Sequence, residues 1–191
     1  MQVVVLAGGQ GTRMRPWTLT RPKPGLMLLD RPLLGHVLDL LPREAVTSVL
    51  VAAGYLVEDL RSILDTHQLP WPVKVIEEDV PLGTGGALRN MLDHLDNRFI
   101  CLNGDVLCGF NGQVILDADQ EYPDSEVILA VREVEDTRRF GIIEFEDDEA
   151  TVAAFKEKPE PHHTSSTWAS AGCYILSRTA IERLPPGASS L

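Results

Sequence analysis

The chain has 191 residues, 44% of them apolar and 6% aromatic, with 17 Lys and Arg against 28 Asp and Glu for a formal charge of −11. That size and balance suit one globular domain with a real core, and they exclude collagen-like, disulfide-scaffold and disordered classes. An acidic chain is also a poor non-specific binder of nucleic acid.

The first apolar run, Val3 to Ala7, is too short for a signal core or a membrane span. Cys101, Cys108 and Cys173 form no Cys-x-x-Cys pair. They fit reduced, buried thiols, and a cytoplasmic, membrane-independent protein is expected. Charge is unevenly spread. Residues 1–29 hold Arg13, Arg15, Arg21 and Lys23 and no acid. A cationic island in an acidic chain suits a small polyanion better than a long polymer.

In chain order, Gln2 to Ala7 reads as a buried strand ending in Gly8-Gly9. Residues 10–32, rich in Gly, Pro, Thr and Arg, read as a long functional loop. Pro32 to Leu41 has leucines at helical spacing. Ser48 to Ala53 predicts a second strand, 57–66 a helix, Val73 to Glu77 a third strand, Gly83 to Leu95 a glycine-led helix, and Arg98 to Leu102 a fourth strand. This alternation predicts a doubly wound, mostly parallel α/β sheet. Beyond it, Glu126 to Val134, Gly141 to Phe145, Val152 to Phe155 and Ala171 to Leu176 read as strands with few helices between them. They predict an antiparallel extension in the second half, with a hairpin turn over Phe145–Ala150. A single domain over 1–191 is expected, with halves 1–110 and 111–191. The loop composition of 185–191 suggests a chain cut short at its C-terminus.

The first strand runs into Leu6-Ala-Gly-Gly-Gln-Gly-Thr-Arg-Met-Arg-Pro16. Closely spaced glycines let backbone N–H groups turn toward phosphate, and arginine adds charge-assisted bonds. The run is neither a P-loop nor Gly-x-Gly-x-x-Gly, which counts against a dinucleotide-dependent oxidoreductase. Prolines on both sides of Lys23 would hold its ammonium in one place, where phosphate charge could develop.

Together, Leu6 to Pro16, Pro22-Lys-Pro24, Arg31-Pro-Leu33, Leu82-Gly-Thr-Gly-Gly-Ala-Leu88, Asn103-Gly-Asp105, Phe140-Gly141, Glu157-Lys-Pro159 and Ala171-Gly-Cys-Tyr174 resemble the sugar-1-phosphate nucleotidyltransferases, in order and over nearly the whole chain. The resemblance implies a Rossmann-like fold and an enzyme that joins a sugar 1-phosphate to a nucleoside triphosphate, releasing pyrophosphate. It assigns the triphosphate and its developing charge to Arg13 and Lys23. Nucleotide binding falls to Leu6, Ala7, Gly8, Gly9, Gly11, Thr12, Gly83 and Thr84, and Mg²⁺ to Asp105. Sugar-phosphate binding falls to Gly141, Glu157, Lys158, Ser170 and Gly172, with the two glycines giving the sugar close approach. Family members carry a second metal carboxylate farther along, unmatched before residue 191. A homo-oligomer is left open.

The family reads the base just before Leu-Gly-Thr, which here offers Glu78 or the neighbouring Glu77. A carboxylate only accepts hydrogen bonds. Guanine presents two adjacent donors, whereas uracil and thymine present one donor between carbonyls. GTP is therefore expected, and the blocks also resemble mannose-1-phosphate and heptose-1-phosphate guanylyltransferases. The competing readings are a thymidylyl- or uridylyltransferase acting on glucose 1-phosphate, and an inactive nucleotide-sugar-sensing subunit of the same fold.

Overall fold

The computed structural model describes residues 1–107, 109–148 and 150–191, Pro161 by its backbone alone. Cys108, and Glu149 within the predicted turn over Phe145–Ala150, lie outside the described residues. The chain divides into two compact units, Met1–Ile128 with Tyr174–Leu191, and Leu129–Cys173.

The first unit is built on β1 (Gln2–Leu6), β4 (Ser48–Ala53), β5 (Val73–Glu77) and β6 (Arg98–Asn103), in the order β5-β4-β1-β6. All three pairings are parallel, with Val4 opposite Leu50 on one side and Cys101 on the other. Val3, Val4 and Val5 are each fully buried, so both faces of β1 are covered, as its unbroken apolar run requires. A small hairpin, β2 (Met27–Leu28) with β3 (Arg31–Pro32), interrupts the expected long loop. The helices are α1 (Leu33–Leu38), α2 (Val57–Thr66), α3 (Gly83–Asn90), α4 (Gln113–Glu121) and α5 (Arg178–Glu182). One core cluster joins Val4, Leu50, Phe99 and Cys101 of the sheet to Leu88 of α3 and Ile181 of α5.

Two predicted helices end early and two further helices were not predicted: α3 stops at Asn90 rather than Leu95, with a 3-10 turn over Leu92–His94 after it. The first helix stops at Leu38, not Leu41, because Pro42 disfavours helical backbone before it; the chain tightens instead through Leu41 N–H to Leu38 O at 3.1 Å. Helix α4 was not foreseen: Ile115 is its buried residue while Val114 is 63% exposed, so its apolar stripe is too narrow to mark it. Helix α5 was also not foreseen. Its Ser177 cap accepts the Ala180 N–H, a start signal hidden at the end of a strand.

The second unit is antiparallel. Strands β8 (Gly141–Phe145) and β9 (Val152–Glu157) form a hairpin that pairs Gly141 with Glu157. Asp148 holds the turn, accepting from the Ala150 and Thr151 N–H groups and from the Thr151 hydroxyl. Strand β10 (Trp168–Ser177) pairs with β8 and with β7 (Val127–Glu133), and then carries the chain back into the first unit. The expected mostly parallel, doubly wound sheet with antiparallel strands in the second half is thus what the chain forms.

One contact of the first unit bears on the site. The Ser189 carbonyl accepts the Gly85 and Gly86 N–H groups of α3 at 2.9 and 3.3 Å, and the Ser189 N–H donates to Leu82 O at 2.9 Å. The N-terminus of α3 is therefore capped by the chain's own residues. A Cβ on Gly86 would meet the Gly187 carbonyl oxygen at 2.5 Å. Gly83, Gly85 and Gly86 have no room for a Cβ beside residues 187–190. Alanine normally favours a helix interior over glycine by about 1 kcal/mol. Here overpacking wins, and Gly86→Ala is expected to lower stability by about 1–3 kcal/mol in urea unfolding.

Candidate active site

The parallel strands of the first unit end together. Ala7 N–H donates to Ala52 O, Glu78 N–H to Ala53 O and Gly104 N–H to Leu6 O, each at 2.9 Å. These bonds lace the segments after β1, β5 and β6 into one rim, the edge at which open α/β sheets take ligands. A cleft of about 540 Å³ opens there.

It gathers residues scattered along the sequence. Leu6, Ala7, Gly8, Gly9, Gly11, Thr12 and Arg13 line it from the first turn, Lys23 from the Pro-Lys-Pro segment, Glu78, Gly83 and Thr84 from the block before and into α3, and Asp105 from beyond β6. Every residue expected to meet nucleotide or metal is therefore on one wall or another of this cleft. Sequence reasoning missed Gln10, Met14 and Pro81, which also line it. Their side-chain types carry no chemical signature that would have marked them.

Pro22 and Pro24 are buried and Lys23 stands between them, its side chain 20% exposed. Its Nζ donates to Asp105 Oδ2 at 2.8 Å. Two groups 82 positions apart thus meet as an ion pair, and the Asp105 carboxylate, 45% exposed, keeps a side open to the cleft. Asp105 and Glu78 are the carboxylates among the cleft's described lining residues. No three His, Cys, Asp or Glu side chains cluster as a metal site among the described residues.

Glu78 and Glu77, left as alternatives by the sequence, are separated by the pleat. Glu77 is exposed and accepts from Arg61 at 3.3 Å, whereas Glu78 is 8% exposed and faces the cleft. Burial raises the Glu78 carboxyl above its ordinary value, and a hydrogen bond from the Leu82 backbone draws it part of the way back. Its oxygens lie against Gly8, where a Cβ would come to 3.1 Å. The Thr84 hydroxyl accepts the Leu191 N–H at 2.9 Å.

The residues expected to hold the sugar phosphate, Gly141, Glu157, Lys158, Ser170 and Gly172, all belong to the second unit and do not line this cleft. Within that unit they gather at one end of the β8–β9 hairpin. Lys158 N–H donates to Phe140 O at 2.9 Å, Lys158 Nζ pairs with Glu157 at 2.9 Å, and Gly172 N–H donates to Ser170 Oγ at 3.2 Å. Lys158 has a φ of 47°, in the left-handed region that a residue with a side chain rarely adopts. The face of Gly141 is not open as expected: the Phe155 ring lies where a Cβ would project.

No helix among the described residues is long and apolar enough to cross a membrane. Residues 2–188 match the family described as Nucleotidyl transferase. The mannose-1-phosphate guanylyltransferase of Mycobacterium tuberculosis is 35% identical over 98% of this chain and 52% of its own length. The zebrafish (Danio rerio) protein named mannose-1-phosphate guanylyltransferase catalytic subunit beta is 32% identical over 96% and 52%. The chain thus spans about half the length of these curated relatives. Among solved structures, HddC from Yersinia pseudotuberculosis is 29% identical with a TM-score of 0.81, covering 99% of this chain and 82% of that one. Its complex with GMP-PN has a TM-score of 0.79 at 28% identity, with the same coverage. Fold, cleft and sequence agree, and the chain belongs to the nucleotidyl transferase family.

Proposed function

We propose that this chain forms the nucleotide site, and carries the sugar-phosphate residues, of a guanylyltransferase that converts GTP and mannose 1-phosphate to GDP-mannose and pyrophosphate. The observation that carries the reading is the Lys23–Asp105 contact at 2.8 Å inside a cleft lined by the glycine turn. A fixed cation and a fixed hard-oxygen ligand stand together where a triphosphate would lie. A sugar-phosphate oxygen attacks the α-phosphorus and pyrophosphate departs in line. Charge neutralisation and positioning supply most of the catalysis. Arg13 and Lys23 take the triphosphate charge. In the second unit, Lys158 is the donor to the sugar phosphate and Glu157 the acceptor for sugar hydroxyls.

Mg²⁺ fits the residues present, since it commonly takes one or two carboxylates and completes its shell with phosphate oxygens and water. Asp105 would be its ligand here. When bound, the ion neutralises phosphate charge.

Guanine is favoured by Glu78, buried in the cleft as an acceptor-only group. The relatives named for mannose 1-phosphate support the choice of sugar, and the HddC complex with GMP-PN supports a guanine nucleotide.

The deciding experiment is pyrophosphate release across four nucleoside triphosphates and several sugar 1-phosphates. GTP with mannose 1-phosphate is expected to lead. Release with no pair would overturn the enzyme in favour of a sensing subunit. Lys23→Ala and Asp105→Ala are each expected to lower kcat by about 10²-fold or more with the fold retained. Lys158→Ala is expected chiefly to raise KM for the sugar phosphate. Equal kinetics in all three variants would remove the assignments.

Glu78→Gln is expected to erode the preference for GTP over UTP and dTTP. The pH dependence has a definite sign. The folded carboxyl is raised above 4.5, so its ionised form destabilises the fold at neutral pH and that cost vanishes as pH falls through the raised value. The variant should therefore melt above wild type at pH 7, with the gap closing on acidification. Wild-type affinity for GTP should fall over the same interval, because the protonated acid keeps one acceptor oxygen and can no longer accept from both guanine donors.

A further inference from the structure

Residues 17–19 reverse the usual order of burial. Trp17 is 68% exposed and Leu19 53% exposed, while Thr18 between them is fully buried. A polar side chain taken from water in place of its apolar neighbours must have its hydroxyl satisfied. It does: Thr18 Oγ1 donates to Gly11 O at 2.9 Å. Thr18 is itself held, since Tyr55, just past β4, donates its hydroxyl to Thr18 O at 2.9 Å.

Gly11 lies on the cleft wall with a φ of +61°, a conformation that suits glycine. A Cβ there would meet Thr18 Cγ2 at 2.9 Å and Lys23 Cβ at 3.3 Å. Thr18 therefore packs against the Gly11 backbone, close to the point where Lys23 leaves the chain. The Gly11 carbonyl also accepts the Met14 N–H at 2.9 Å, so two donors fix it on one side of the loop. In a trans peptide the carbonyl and the next N–H point in opposite directions. With Gly11 O turned to Thr18 and Met14, the Thr12 N–H is turned away from them. A flip of that one peptide would exchange a phosphate donor for a carbonyl that repels phosphate. Neither Thr18 nor Tyr55 lines the cleft.

We infer that Thr18, braced by Tyr55, is a positioning residue that locks the Gly11–Thr12 peptide with its N–H presented to the triphosphate. This rests on the nucleotide reading of the cleft and adds a second layer to it. The hydroxyl, not the bulk, does the locking, so valine and serine separate the two. Binding of GTP with Mg²⁺ is measured by calorimetry, alongside steady-state kinetics, thermal unfolding and amide exchange at Thr12. The chains compared are wild type, Thr18→Val, Thr18→Ser and Tyr55→Phe.

Thr18→Val is expected to weaken GTP binding about tenfold and to speed Thr12 exchange, with kcat at saturating GTP and KM for the sugar phosphate each within about threefold of wild type. Thr18→Ser should restore affinity to within about twofold, and Tyr55→Phe should fall between. The lock is overturned if folded Thr18→Val binds GTP as wild type does, or if Thr18→Ser is as impaired as Thr18→Val. If valine at 18 prevents folding, the serine and Tyr55→Phe chains decide alone: wild-type affinity in Tyr55→Phe, or impaired affinity in Thr18→Ser, overturns the lock. Wild type that binds no nucleoside triphosphate overturns the nucleotide reading and this inference with it. Failure of the lock alone leaves wild-type binding intact, so the two failures are told apart.

Discussion

Most of the candidate chemistry depends on bringing one ammonium and one carboxylate to the same rim. Lys23 and Asp105 meet at 2.8 Å although a whole alternation of strands and helices lies between them in sequence. An ion pair this exposed contributes little to stability, about 0–1 kcal/mol. Its geometry has to be imposed by something stiffer. That scaffold is the parallel core, where fully buried Val3, Val4 and Val5 set β1 between β4 and β6, so that the chain leaves the strands at one common edge. Buried prolines on either side of Lys23 then restrict where its stem can start.

Within that rim the two carboxylates are given different environments. Asp105 is open to solvent and paired with Lys23. Glu78 is buried, with its carboxyl raised and a single backbone donor in partial compensation. An acceptor held back from water in this way gains from a ligand with matching donors and loses from one that presents oxygen. Under the proposed function, selectivity and charge handling fall to different acids of one cleft.

The features that were legible in sequence are those written in local pattern. Unbroken valine runs gave the parallel strands because strands buried on both faces cannot alternate. The glycine turn, Pro-Lys-Pro and Asn-Gly-Asp were legible because backbone approach, fixed charge and hard-oxygen ligation each demand particular residue types. What stayed hidden was set by tertiary contact. Ile115 alone marks the core side of α4, too little for a periodic signal. The choice between Glu77 and Glu78 turns on which side of the sheet end each faces. Thr18 reads as one more polar residue in a basic loop until its burial and its bond to Gly11 are seen. The sealing of Gly141 by Phe155 and of α3 by residues 187–190 ran against the reading of glycines as open ground for ligand.

The capped start of α3 gives the cleft a direction. Two glycine-rich turns face it, and either could in principle attract an anion. At α3 the Gly85 and Gly86 amides are already spent on the Ser189 carbonyl, while those of Gly8, Gly9 and Gln10 make no backbone hydrogen bond among the described residues. Among the described residues the first turn therefore keeps three consecutive amides without a backbone partner, while at α3 only those of Gly83 and Thr84 are left. Under the proposed function, a bound triphosphate finds the longer run of free amides at the first turn and the shorter one at the start of α3, which favours one orientation along the cleft.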